Sequence, residues 1–327
     1  MALQLSSFAH RAAEASAWLL PPGRRPVPGE PPVLDLPDDV PAHAAARARL
    51  ALTPAARERY DLLLERAAAP GSVPVPVLGR ALTAGRSLAA VEGLAAAWAR
   101  SEAGRRAVTD PLTLAEAGAQ RTGVTCGPAT AAMLAALGDP FLAWWLATGE
   151  RIGPVPELAA APPVILERLA GADPRARFGV LHGVLHSRLV RGSLGPFDWP
   201  ARFGTPPWSL ARAARFGDVR YRAVAADDTD RDHQEELLER VRDAVGRGVP
   251  VPLYSGGDTS RGLDAAVPRH VTLAVTASDG GLEVFDPAGG ALRSVTWEAL
   301  VTGEGVGRAL GGWPHLSWVV LPRPSSY

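Results

Sequence analysis

The residue best suited to chemistry is Cys126, the only cysteine among 327 residues. It stands directly before a run of helix-forming residues, ATAAMLAAL, and Pro128 lies where a first helical turn tolerates a missing N–H. We therefore expect Cys126 at a helix N-terminus, where free N–H groups and aligned peptide dipoles stabilise the thiolate. The thiolate is the nucleophilic form of cysteine, so Cys126 is a candidate nucleophile. The alternative is a structural cysteine, because free cysteines are often buried.

A glutamine precedes this thiol at a useful distance. Gln120 lies six residues before Cys126, across a loop that contains Gly123. Its side-chain amide could donate a hydrogen bond to the oxyanion of a tetrahedral intermediate, together with the backbone N–H of Cys126. One such donor typically stabilises a transition state by about 3 to 4 kcal/mol. The alternative is an ordinary surface glutamine.

A cysteine nucleophile needs an imidazole, and the best-placed histidine is His270. It begins the strand pattern HVTLAV after a long polar loop, 255–269, which could line a cleft. The next strand pattern ends at Asp286, and an antiparallel return of this length can bring that carboxylate beside the ring to orient it. Asp286-Pro is also a common way to open a turn. The chain contains no asparagine, however, so an acid of this kind would have to orient the imidazole.

The order of these motifs resembles that of the papain-like cysteine peptidases. Within that superfamily, the arrangement is most similar to the bacteriocin-leader-processing (double-glycine) peptidase domains and their stand-alone relatives, over about residues 106–325. The resemblance implies a helical lobe and a sheet lobe that meet at a cleft, with a triad of Cys126, His270 and Asp286 and an oxyanion role for Gln120. No transporter segments are evident in the sequence, so we do not expect leader removal coupled to export. The pattern Asp139-Pro also resembles phytochelatin-synthase-like transpeptidases, which pass the acyl group to an amine.

These residues need elements to position them, and the patterns predict an α+β fold. We expect a helical, Pro-rich N-terminal extension over 1–105 and a catalytic domain over 106–327, helical to about 216 and mainly an antiparallel sheet from 217. No role is assigned to 150–215. The predicted helices of the extension lie near 42–50, 54–68 and 83–101, and a further helix covers 232–248. The predicted strands lie near 218–226, 249–255, 270–277, 282–286 and 316–322.

Composition excludes several classes of function. The charges sum to zero without long blocks of one sign, so we expect no nucleic-acid partner. Lysine is absent, which excludes a P-loop lysine, a Schiff-base lysine and a Ser-Lys dyad. A single cysteine excludes an intramolecular disulfide and is compatible with a reducing compartment. With no apparent secretory signal and no apolar run of roughly 20 residues, we expect a cytoplasmic protein without a membrane span.

Two weaker sequence patterns, a possible zinc site and a possible dinucleotide-binding loop, have simpler explanations. His182 and His186 are one helical turn apart and could bind zinc, but no third ligand is evident, so helix packing or surface placement is the preferred interpretation. The glycine-rich segment 303–307 follows no clear strand, which argues against a dinucleotide loop. We therefore expect no metal ion and no cofactor.

The sequence thus predicts a cysteine-dependent hydrolase, a peptidase acting on a peptide or protein. Two alternatives remain open, namely an acyl or peptidyl transferase with the same residues and a non-catalytic binding protein with the same fold. The substrate and the oligomeric state are not predicted.

Overall fold

The fold comes from a computed structural model that describes residues 5–17, 36–85, 87–159, 161–227, 229–257 and 267–323. The α-helices are α1 Leu5–Ala17, α2 Val40–Leu50, α3 Pro54–Arg66, α4 Val75–Gly85, α5 Leu88–Ala97, α6 Glu102–Thr109, α7 Cys126–Gly138, α8 Pro140–Thr148, α9 Pro163–Ala170, α10 Pro174–Val190, α11 Pro207–Ala213, α12 Arg231–Gly246 and α13 Trp297–Thr302. Short 3-10 helices cover Trp98–Arg100, Pro111–Leu114, Pro156–Leu158, Ala201–Phe203 and Gly307–Leu310. The strands are β1 Tyr221–Ala225, β2 Val251–Gly256, β3 His270–Ser278, β4 Gly281–Asp286, β5 Ala291–Thr296 and β6 His315–Pro322.

The predicted α+β class and the antiparallel sheet are confirmed. The strands form one six-stranded sheet in the order β1-β6-β2-β3-β4-β5, and every neighbouring pair is antiparallel. All six residues of β2 are buried. Because successive side chains of a strand point to opposite faces, both faces of the sheet must be covered at this strand. The candidate histidine therefore begins β3 beside the most enclosed part of the sheet.

Two details of the predicted elements were wrong. The expected helix 83–101 is interrupted, because α4 ends at Gly85 and α5 begins at Leu88, after Ser87 with an extended backbone. Strand β5 was not predicted. Its residues ALRSVT alternate between partly buried and exposed positions, so only Val295 supplies a buried apolar side chain. A strand at the edge of a sheet carries such a weak hydrophobic pattern.

Helix α7, which begins at Cys126, is enclosed by other parts of the protein. Every residue in it except Leu137 is buried, since its small and apolar side chains leave no polar face. The hydroxyl of Thr130 donates a hydrogen bond of 3.2 Å to the carbonyl of Val271. This bond ties the cysteine helix to the strand that begins with the candidate histidine.

The N-terminal helices share one apolar cluster with the rest of the described chain. Arg80 of α4 donates hydrogen bonds to the carbonyls of Leu137 (2.7 Å) and Val108 (2.6 Å), near the C-terminal ends of α7 and α6. Burial lowers the pKa of Arg80, and the carboxylate of Asp110 opposes that effect. The extension therefore supports the far end of the cysteine helix. The predicted domain boundary at 105/106 stays a prediction.

Among the residues described, no single helix is long and apolar enough to cross a membrane. Helices α7 and α8 together have the length and apolar composition of a membrane span, but the chain bends by 114° between them.

Candidate active site

The loop before α7 holds Cys126 at the first helical position. The hydroxyl of Thr125 accepts hydrogen bonds from the backbone N–H groups of Arg121 (3.2 Å) and Thr122 (3.1 Å), and donates one to the carbonyl of Thr122 (3.0 Å). This hydroxyl closes the loop and makes no capping bond to the helix. The first N–H groups of α7 have no intrahelical acceptor, so they remain available beside a thiol that is only 3% exposed.

His270 and Asp286 form a buried pair. The ring Nε2 lies 2.8 Å from Oδ1 of Asp286, and the two residues are 6% and 3% exposed. The same carboxylate oxygen accepts a hydrogen bond of 2.9 Å from the backbone N–H of Ala288, which fixes its position at the end of β4. With Nε2 directed to the acid, Nδ1 is the nitrogen free for a second partner.

Cys126 lies close enough to the His270 ring for the two groups to interact electrostatically. Burial acts to lower the pKa of His270, but the hydrogen bond to Asp286 and the interactions with Cys126 outweigh burial and raise that pKa to about 9. The structure thus brings together three of the four residues that the sequence singled out, namely Cys126, His270 and Asp286. The raised pKa favours the imidazolium form of His270.

Gln120 is tied to the same corner of the molecule through its backbone. Its N–H donates a hydrogen bond of 2.7 Å to the carbonyl of Pro287, directly after Asp286. In the turn that follows, Gly290 has φ +59°, and a Cβ there would lie 2.7 Å from the carbonyl oxygen of Ala115. This glycine permits the close approach of the β4–β5 turn to the chain leading to Gln120. The side-chain Oε1 of Gln120 is buried without a hydrogen-bond partner among the described residues.

Two further glycines permit close contacts at the site. A Cβ at Gly127 would lie 2.5 Å from the Thr205 Cβ, so the glycine after the nucleophile lets Thr205 pack on the first turn of α7. Gly311 has φ +65°, and a Cβ there would lie 2.6 Å from Cγ of His270. Gly311 therefore covers the imidazole, and its turn is held by the Ser255 hydroxyl, which donates a hydrogen bond of 2.8 Å to the Leu310 carbonyl.

A cavity of about 190 Å³ opens beside the thiol and the imidazole. It is lined by Gly123, Val124, Cys126, Arg202, Phe203, Gly204, Thr205, Tyr254, Pro268, Arg269, His270 and Val271. None of these lining residues carries a carboxylate. The volume is below the roughly 300–1,000 Å³ of sites for drug-sized ligands, so it suits a side chain or a short segment of a larger substrate.

No family model, curated protein or solved structure matches this chain. The site is therefore interpreted from its own geometry.

Sequence reasoning missed several of the residues that line the cavity. Arg202 and Thr205 belong to the segment 150–215, whose sequence indicates no role, and Arg269 lies in the loop before the histidine. Tyr254 lies in the predicted strand 249–255. A tyrosine in the otherwise apolar run VPLY was an available signal, because a buried phenol usually has a hydrogen-bond partner. The centre of the loop expected to line the cleft, 258–266, lies outside the described residues.

The residues of the weaker signals do not line this cavity. His182 is buried in α10 with neither ring nitrogen hydrogen-bonded to a described residue, and burial, with a smaller effect of Arg121, lowers its pKa to about 4. Within the described chain, no group of three or more His, Cys, Asp or Glu could hold a metal ion. The segment 303–307 follows helix α13 and leads into a 3-10 helix. Asp139 serves as the N-cap of α8 and pairs with Arg215.

Proposed function

We propose that this protein is a papain-like thiol hydrolase that cleaves a peptide bond, with Cys126 as nucleophile, His270 as proton carrier and Asp286 as its orienting partner. The observation that carries the proposal is a buried thiol and a buried imidazole at the wall of one cavity, with the imidazole hydrogen-bonded to a buried carboxylate. A nucleophile, a base and an orienting group in contact are the arrangement that covalent acyl transfer requires.

In the first half of the reaction, the Cys126 thiolate attacks the substrate carbonyl and forms a carbon–sulfur bond. The carbonyl oxygen becomes an oxyanion, which the N–H groups at the start of α7 would stabilise, together with the side-chain amide of Gln120. His270 then gives its proton to the leaving amine as the carbon–nitrogen bond breaks. The products of this half are a thioester on Cys126, a free amine and a neutral imidazole.

In the second half, His270 accepts a proton from water, and the resulting hydroxide attacks the thioester carbonyl. The carbon–sulfur bond breaks, the acid product leaves, and the thiolate–imidazolium pair is restored. Asp286 does not change its protonation state. It holds Nε2 and stabilises the imidazolium through the 2.8 Å hydrogen bond.

An amine in place of water would make the same centre an acyl transferase. The sequence feature that suggested this alternative was Asp139-Pro after the cysteine helix. Asp139 is fully engaged in capping α8 and in its pair with Arg215, so its place in the fold accounts for it without a catalytic role. Hydrolysis is therefore the function proposed.

The test is digestion of a mixed peptide library by the wild-type protein and by the C126A and H270A variants, with the products read by mass spectrometry. We expect new termini in the wild-type digest, none with C126A, and a rate about 10² to 10⁴-fold lower with H270A. The control is His43→Ala, which changes an exposed histidine in α2. A second reaction containing hydroxylamine detects acyl transfer, because the hydroxamate has its own mass.

Cleavage that persists in the C126A variant would contradict the proposal. Hydroxamate formation with little hydrolysis would favour the transferase. A folded wild-type protein that neither cleaves the library nor forms an adduct would favour a non-catalytic binding protein.

A further inference from the structure

Two arginines that line the cavity have no acidic partner in the described parts of the chain. Arg202 and Arg269 are both exposed, and neither forms a salt bridge there. The guanidinium carbon of Arg202 lies 4.7 Å from the ring centroid of Phe203, which restricts its orientation. Arg269 is held at the start of β3, because its backbone N–H donates a hydrogen bond of 2.8 Å to the carbonyl of Ser255.

Two residues that line the same cavity carry buried hydroxyl groups without partners among the described residues. The hydroxyls of Thr205 and Tyr254 make no hydrogen bond to any described residue, although these residues are only 4% and 1% exposed. A buried hydroxyl without a partner is costly, and a ligand oxygen would remove that cost. Burial raises the pKa of Tyr254 well above its usual value, and the nearby Cys126 adds to this effect, so the phenol keeps its proton and can donate.

The cavity is therefore lined on several sides by groups that favour an anion. The guanidinium groups of Arg202 and Arg269 provide charge-assisted donors in a planar arrangement that matches a carboxylate. Two hydroxyls offer further donors, and none of the lining residues named above carries a carboxylate.

We propose that the cavity binds a carboxylate of the substrate, carried within about one residue of the bond that Cys126 attacks. This inference rests on the proposed function, because it names what the substrate of that centre carries. The carboxylate belongs either to an acidic side chain or to a free C-terminus, since both present the same planar pair of oxygens. Arg202 and Arg269 are the residues that select it.

The test uses alkylation of Cys126, which needs no turnover. Two matched pairs of probes differ only in a carboxylate: chloroacetyl-glutamate amide against chloroacetyl-glutamine amide, and chloroacetyl-glycine against chloroacetyl-glycinamide. The thiolate forms a carbon–sulfur bond and displaces chloride, and intact-mass spectrometry follows the reaction because Cys126 is the only cysteine. Each acid-to-amide rate ratio is divided by the same ratio measured with glutathione, which removes the intrinsic reactivity of the probes.

We expect a normalised ratio well above one in the wild-type protein. R202Q and R269Q should each lower the ratio by about 1.5- to fivefold, as for exposed ion pairs, and added salt should lower it in the wild type. The matched control R231Q removes an arginine of α12 whose side chain is 74% exposed, and it should leave the ratio unchanged. The first probe pair detects a side-chain carboxylate and the second a terminal one.

A normalised ratio of one in the wild type, or a ratio unchanged in both R202Q and R269Q, would overturn the inference. A variant that fails to fold does not end the test, because the other arginine and the salt dependence of the wild type remain. Absence of peptide cleavage in the library digest refutes the hydrolase proposal alone, since the alkylation ratios still report whether the cavity selects a carboxylate.

Discussion

Arg215 and His270 each belong to a buried ionic cluster, but the polar atoms around them are satisfied to different degrees. Arg215 donates to both carboxylate oxygens of Glu157 (2.6 and 2.7 Å) and to Asp139 Oδ2 (2.7 Å). The other oxygen of Asp139 accepts hydrogen bonds from the first N–H groups of α8. Around His270, by contrast, the hydroxyls of Tyr254 and Thr205 lack a partner in the described chain.

This difference separates a structural cluster from a candidate reactive one. A fold gains little from burying charges, and it tolerates them where the buried carboxylates are paired and hydrogen-bonded, as around Arg215. Unused donors beside a cavity cost stability that nothing within the described fold recovers. Their presence around His270 is explained if a substrate supplies the missing acceptors.

The largest expected effect comes from removing the cation of the structural cluster around Arg215. Arg215→Met leaves the buried carboxylates of Asp139 and Glu157 without their cation, which should lower the free energy of unfolding by about 3 to 5 kcal/mol. Burial already raises the pKa of Asp139 in spite of the opposing effect of Arg215, so the variant protein should hold this group protonated. Urea denaturation followed by circular dichroism measures the change.

The control for this prediction is Arg231→Met. That arginine forms an exposed i, i+4 pair with Glu235, and its removal should change stability by less than about 0.5 kcal/mol. In the folded Arg215→Met protein, the rate of Cys126 alkylation should equal that of the wild type. An unchanged unfolding free energy, or an altered alkylation rate, would remove the distinction between the two clusters.

Much of the fold could be predicted from the sequence, because its signals are local. The apolar strand patterns and the small-residue run after Cys126 each predict an element from neighbouring residues. The pairing of His270 with Asp286 could also be anticipated, since it requires only a short antiparallel return. In β5, alternating partly buried and exposed residues left too weak an apolar pattern for the strand to be predicted.

The rest of the site depends on contacts between residues distant in sequence. Thr205 packs against the first turn of α7 because Gly127 lacks a side chain, and no sequence pattern within 150–215 predicts that contact. Gly311 covers His270 from a turn 41 positions later in the numbering. Such contacts are set by packing, so neither spacing nor composition predicted them.

The second prediction uses the contact between Gly311 and His270 to disturb the candidate active site alone. Gly311→Ala combines a left-handed backbone with a collision against the His270 ring, and a shift of about 1 Å at a catalytic group can cost on the order of 100-fold in rate. Gly305→Ala is the matched control, because Gly305 has φ +73° but no atom within 4 Å of the added Cβ. Both variants should lose similar stability from backbone strain.

Only Gly311→Ala should slow the alkylation of Cys126 at pH 7, measured on folded protein by mass spectrometry. Equal rates in the two glycine variants would mean that the Gly311 turn does not position the imidazole.

The smallest expected effect is a change in pH dependence when Asp286 is replaced by Asn. Burial tends to lower the pKa of His270, whereas Asp286 and Cys126 raise it to about 9. Because this pKa lies above the usual 6.5, the stability from the imidazolium is present below pH 6.5 and is lost as the pH rises through about 9. Asn keeps an acceptor for Nε2 but removes the charge, which should move the upper end of that window down by about one pH unit.

Alkylation with iodoacetate and iodoacetamide measures this shift, because the imidazolium attracts the anionic reagent and has little effect on the neutral one. In the wild type, the ratio of the two rates should fall as the pH rises through about 9, and in D286N it should fall at lower pH. D286A, which also removes the acceptor, should shift the transition further. R231Q should show the wild-type transition, since Arg231 lies on the exposed side of α12. If the transition stays at the same pH in D286N, the charge of Asp286 does not stabilise the imidazolium. The contrast between the Arg215 cluster and the His270 cluster then rests on the unpartnered hydroxyls of Thr205 and Tyr254 alone.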